Sequence, residues 1–183
     1  MKRIVFLLLV YAAAAGCSRV QVSQDYDTGM NFSELHYFSW KSTEEKSSAD
    51  IRISNPLLQK RIIKAIEQSL SERGYIANDL QADFLVDYDF SISTRIESSP
   101  FTTGFGYGFG AYRNYGGVSI VTSPEINQYD VGMLVIDIYY KATNELVWRG
   151  TGSEIVTTHS TPDQTTNTVQ RMVQAILGQF PPK

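Results

Sequence analysis

An α+β fold, with an antiparallel sheet of about four strands and two helices packed on one face, is what this sequence predicts, and three observations carry the prediction. Residues 83–96 alternate apolar and polar side chains, residues 129–140 and 146–156 flank a turn, and two segments of helical periodicity stand on either side of these strands. A strand with one greasy and one polar face belongs to an antiparallel sheet covered on one side only.

Taken in order, Val20 to Asp27 and Leu35 to Trp40 are rich in aromatic and β-branched residues and read as one or two strands around a turn region containing Gly29. Residues 41–53 are polar and serine-rich, a loop. Asn55-Pro56 then sets a helix start, the asparagine as cap and the proline at the first helical position, where its missing N–H costs nothing. Leu58, Ile62, Ile66 and Leu70 recur every four residues along this helix, and Gly74 ends it as a left-handed cap. In the strand that follows, Phe84, Val86, Tyr88, Phe90, Ile92 and Ile96 face one way while Asp87, Asp89, Ser91, Ser93 and Arg95 face the other. Residues 129–140 and 146–156 form a hairpin about the turn Ala142-Thr143-Asn144-Glu145. The second helix opens on the capping box Thr161-Pro162-Asp163-Gln164. Its apolar face is Val169, Met172, Val173, Ile176, Leu177 and Phe180, and Pro181-Pro182 stops it.

The amino terminus carries a different message. Lys2 and Arg3 precede the apolar run Ile4 to Val10 and the small residues Ala12 to Gly16, the order of a secretory signal. The run is too short to span a bilayer, which needs about 20 apolar residues, and no later segment approaches that length. Ala14-Ala15-Gly16-Cys17 resembles the box that the lipoprotein signal peptidase reads before a cysteine, with Ala14 where leucine is more usual. The expected organisation is therefore a signal peptide at 1–16, a lipidated N-terminus and tether at 17–23 with Cys17 carrying the lipid, and one α+β domain at 24–183 with a Gly/aromatic-rich excursion at 98–128. Cys17 is the only cysteine, so the chain can form no internal disulfide, and lipidation accounts for a thiol that would otherwise be unpaired. Ser18 stands where an aspartate would resemble an inner-membrane retention signal, so the expected location is the periplasmic side of the cell outer membrane.

Removal of residues 1–16 takes away Lys2 and Arg3 and leaves 14 basic against 19 acidic side chains, a formal charge of −5. A mildly acidic chain is not a nucleic-acid binder, which needs a basic face for phosphates. Nor would charge dock it on anionic headgroups, so attachment falls to the lipid chains.

Several phrases resemble an uncharacterised bacterial lipoprotein family, domain-of-unknown-function family 4136. They are Tyr26-Asp27 with Phe32, Tyr37 and Trp40, then Gly74-Tyr75, Ala82 to Val86, Gly132 to Asp137, Leu146-Val147-Trp148-Arg149-Gly150 and Phe180-Pro181-Pro182. Members often carry a second aspartate three residues after the one matched by Asp137, and Tyr140 stands there instead. The resemblance implies a lipoprotein domain and assigns no activity.

No catalytic residues, cofactor or metal ligands are expected. His36 and His159 have no partner at metal-ligand spacing, and the nucleophile and phosphate-loop patterns are absent. Asp83, Asp87 and Asp89 share a strand face but lack the turn and distal glutamate of a calcium loop, and read as its polar side. Alternation puts Trp148 in the core and leaves Arg149 to pair with a neighbouring carboxylate. The unusual stretch is the excursion, where glycines alternate with Phe105, Tyr107 and Phe109, followed by Tyr112 and Tyr115. These five rings are the candidate partner-binding residues if the segment is extended; the other reading is a glycine-rich hairpin tip. The functional expectation is a lipid-anchored envelope protein acting as a non-catalytic binding or assembly module, with the membrane, an envelope protein or a glycan as partners. The alternatives are a periplasmic hydrolase of cell-wall or lipid material and a self-associating structural protein.

Overall fold

The computed structural model describes residues 20–41, 50, 52–98, 126–157 and 160–182. Strands β1 (Gln21–Tyr26) and β2 (Tyr37–Trp40) are joined through a short 3-10 turn, Phe32–Glu34. Helix α1 (Pro56–Glu72) follows, then the two-residue strand β3 (Ile76–Ala77), the long strands β4 (Phe84–Ser98) and β5 (Ile126–Tyr140), β6 (Glu145–Val156) and helix α2 (Pro162–Leu177). The β5–β6 turn holds Asn144 at φ 57°, and β5 starts at Ile126, three residues before the sequence places it.

These strands form one six-stranded sheet in the order β1-β6-β5-β4-β2-β3. The expected antiparallel sheet of about four strands is thereby corrected: β1, β6, β5 and β4 are antiparallel, but β2 runs parallel to both β4 and β3. The physical reason is the path of the chain. The two early extended segments part company, β1 pairing with β6 at one edge while β2 pairs with β4 near the other. From β2 the chain crosses over through α1 and returns in the same direction, which makes the pairing parallel. Asp83 seals this join, its Oδ2 accepting the N–H groups of His36 and Tyr37 at 2.9 Å each.

Both helices form where their caps require. Asn55 accepts the N–H of Leu57 and Gly74 takes φ 91° after α1, while Thr161 and Gln164 make a reciprocal capping box at α2. Their apolar stripes meet the sheet face built by Phe84, Val86, Leu134, Ile136, Ile138 and Trp148, all at most 1% exposed. Gly150 and Gly152 lie on this face under Ile176, where a Cβ on either would collide with the isoleucine. Phe180 closes the core beneath the helices, its ring 5.2 Å from Trp148 and 5.4 Å from Tyr75. No described helix is long and apolar enough to cross a membrane.

Candidate functional site

Helices cover one face of the sheet, and alternation delivers the other residues of the same strands to the opposite face. The centre of that uncovered face is β5, presenting Val131, Met133, Val135, Asp137 and Tyr139. Cross-strand register sets Ser93, Ser91, Asp89, Asp87 and Leu85 of β4 against them in that order. On the other side stand Ile155, Ser153, Thr151 and Arg149 of β6. Met133, 37% exposed, thus stands between Ser91 and Ser153, and the half-buried Val135 between Asp89 and Thr151.

Further along this face lies a polar cluster. The Arg149 Nε donates to Asp137 Oδ1 and its Nη2 to Oδ2, both at 2.7 Å, a bidentate pair in which the carboxylate is mostly buried and the guanidinium half exposed. Hydrogen bonds to Asp137, and then its charge, hold the Arg149 pKa above the ordinary value. Lys41, just past β2, places its Nζ 3.3 Å from the Tyr139 ring centroid, a cation over an aromatic face. Tyr139 is pushed up in pKa by desolvation first and then by the charges of Asp137 and Asp87. The Asp137 carboxylate is engaged by Arg149. The cluster holds its charges in place by mutual contact.

Elsewhere, a cleft of about 450 Å³ opens between Tyr26, Asp27, Met30, Phe32, Pro181 and Pro182. Its polar rim is satisfied locally: Asp27 accepts the N–H of Gly29 at 2.8 Å, and Asn31 bonds Glu34 and Ser33. Glu154 is buried, with Arg171 of α2 at 2.6 Å on one oxygen. Among the described residues no three histidine, cysteine or acidic side chains come together as a metal site.

Cys17, and the five candidate rings Phe105, Tyr107, Phe109, Tyr112 and Tyr115, lie outside the described residues, as does His159. Asp83, Asp87 and Asp89 do share the uncovered face, but Asp83 is spent on the β2 backbone. Trp148 is fully buried with its Nε1 donating to Gln24 at 3.0 Å, and Arg149 pairs with a carboxylate, as alternation predicts. Reading the sequence did not bring Lys41, Tyr139, Asp137 and Arg149 together. The available signal was parity, since Asp137 and Tyr139 are two apart on one strand.

The family model for a domain of unknown function, DUF4136, matches residues 22–182. Among solved structures, a PDZ domain protein from Parabacteroides distasonis is similar at 14% identity and a TM-score of 0.52. That likeness covers 96% of this chain and 39% of the other, so the chain spans about two fifths of that protein's length, and it concerns the fold alone. Two structures of the PelC dodecamer from Paraburkholderia phytofirmans match at 12% and 10% identity with TM-scores of 0.42 and 0.43, each over 86% of this chain and 94% of that one. No curated protein matches the sequence.

Proposed function

This chain belongs to the DUF4136 family, and from that premise we propose that it is a lipid-anchored cell-envelope protein that binds a partner protein without catalysing a reaction. On this reading Cys17 carries the lipid, the domain faces the periplasm from the outer membrane, and the uncovered sheet face is the contact surface. One observation carries the reading: Met133 lies exposed at the centre of the uncovered face between Ser91 and Ser153, with the Asp137–Arg149 pair and Lys41 fixed further along the same face. An apolar centre rimmed by ordered charge is the anatomy of a recognition surface.

The test places a photo-crosslinking residue in intact cells at Ser91 or Thr151 on this face, and at Lys64 on the exposed side of α1 as control. Crosslinks to one defined envelope protein from the two sheet positions, and none from Lys64, are expected. Equal or absent crosslinking from all three overturns the surface. For the anchor, Cys17→Ser should abolish fatty-acid labelling and release the protein from membranes; label that persists in that variant would contradict it. Density fractionation should place the wild-type protein with outer-membrane markers.

A further inference from the structure

We infer that the outer edge of β1 is a self-association site, at which two copies of this chain pair strand to strand about a two-fold axis and join their sheets into one. This edge is separate from the uncovered face proposed above as the contact for another protein.

The sheet has two edges, and they are unequal. β3 ends it with two residues, while β1 ends it with six. The Asp27 N–H donates to the Val147 carbonyl in line with the β1–β6 register, so the odd-numbered residues of β1 exchange their main-chain hydrogen bonds with β6. The N–H and C=O groups of Val22 and Gln24 therefore point away from the sheet. Among the described residues no group bonds to them. Gln21 to Asp25 are all exposed, and the strand has none of the proline, lysine or bulge with which open edges are commonly blunted. Its one charge is Asp25, whose Oδ1 takes the Tyr26 N–H at 3.0 Å and closes the open row at that end.

Any extended strand could bond to these open groups, but a copy of β1 also matches them in length and charge. In an antiparallel pairing centred on Ser23, Val22 of one copy meets Gln24 of the other, and the two such pairs make four main-chain hydrogen bonds. Ser23 then faces its own copy across the axis. Asp25 faces Gln21 of the other copy, a carboxylate opposite an amide donor, whereas a pairing centred on Asp25 would set two carboxylates against each other. The Val22 side chain, 40% exposed on the helix side of the edge, gains cover from the second copy. Helix α2 leaves room for this pairing. It rides over β6, where Ile176 lies on Gly150 and Gly152, one strand in from the edge. With strands about 4.8 Å apart, the two α2 helices stand about 14 Å from each other, more than the helix diameter of about 10–12 Å. A two-fold contact of the same patch on both copies closes on itself, so growth through this edge stops at a dimer.

The test is disulfide formation at the axis. Directly opposed residues of a non-hydrogen-bonded antiparallel pair stand about 4.5 Å apart at Cα, a separation that a disulfide spans. The full chain bearing Ser23→Cys is oxidised with copper–phenanthroline in mild detergent, beside Asp25→Cys and the unsubstituted chain with Cys17 alone. Both substituted positions are exposed on the same strand, so reactivity and folding are matched. A dimer band several-fold stronger for Ser23→Cys than for either control is expected, because position 25 faces Gln21 and not itself. Adding Val22→Pro removes an outward N–H and leaves the β6 ladder whole. It should abolish the Ser23→Cys band while thermal melting stays within a few degrees. Equal bands at positions 23 and 25 overturn the pairing, as does a band that survives Val22→Pro in a folded chain. A Ser23→Cys band no stronger than that of the unsubstituted chain also overturns it, and is the result expected if the edge takes a strand of another protein.

Discussion

The two faces of this sheet are made from the same strands, yet they are put to opposite uses. On the covered face Phe84, Val86, Ile136, Ile138 and Trp148 are sealed under the helices, and two glycines are hollowed out to admit Ile176. On the uncovered face the side chains between them are short hydroxyls, an exposed methionine, and charges fixed by one another. The covered face has no slack, since interiors pack to crystal density and a single methyl is felt. On the uncovered face exposed positions such as Ser91 and Met133 should accept substitution at less cost to folding.

The comparison breaks first, if it breaks, at Trp148. Trp148→Ala removes the largest fully buried side chain and its bond to Gln24, and about 3–5 kcal/mol of stability should be lost in denaturant titration. A loss below 1 kcal/mol would mean that the helices do not depend on this face. Next, Gly150→Ala drives a methyl into Trp148 and Ile176, and overpacking of this kind should cost about 1–3 kcal/mol. A neutral result would show that α2 can lift away freely.

Smaller effects sharpen the contrast from the other side. Arg149→Ala strands the mostly buried Asp137 carboxylate, but the guanidinium is half exposed and solvent screens the pair, so the loss should be about 1–2 kcal/mol. The double variant with Asp137→Asn should recover part of it, which a double-mutant cycle measures. Strict additivity would mean that the pair has no coupling. Smallest of all is the alkaline limb. Tyr75 and Tyr88, packed on the helix side, and Tyr139 on the uncovered face are all raised above the ordinary value of 10.0, with desolvation the leading cause in each. A group raised on folding contributes stability that is complete below its unfolded pKa and is lost as pH rises through the folded one. Stability should therefore fall only above about pH 10, with part of the phenolate absorbance appearing later than in the unfolded chain. Tyr139→Phe should remove one late component; a folded-state titration that overlays the unfolded curve would contradict the burial of these rings.

How much of this was legible in the sequence depended on whether a signal was local. Both helices could be placed from their caps, Asn55-Pro56 and the Thr161 box, because capping is decided within four residues. The long alternation in β4 showed itself for the same reason. β3 is two residues long and has no period to read, and the parallel sense of β2 depends on where α1 returns the chain. The Asp137–Arg149 pair was hidden by a bulge. Counting pairs back from the turn at Tyr140 and Glu145 sets Asp137 opposite Trp148. The register shift between Ile138 and Tyr139 inserts Val147 and moves Arg149 into place instead.

The central claim, that the covered face holds the fold and the uncovered face holds the partner, is tested most directly by the double variant Ser91→Glu with Met133→Lys. The two positions are cross-strand neighbours on the uncovered face and both are exposed, so the new opposite charges should support each other while replacing the apolar Met133. Thermal melting and in-cell capture through the Thr151 crosslinker are then measured on the same variant. The account predicts melting within a few degrees of wild type and capture lost. Capture undiminished in a folded variant would contradict it.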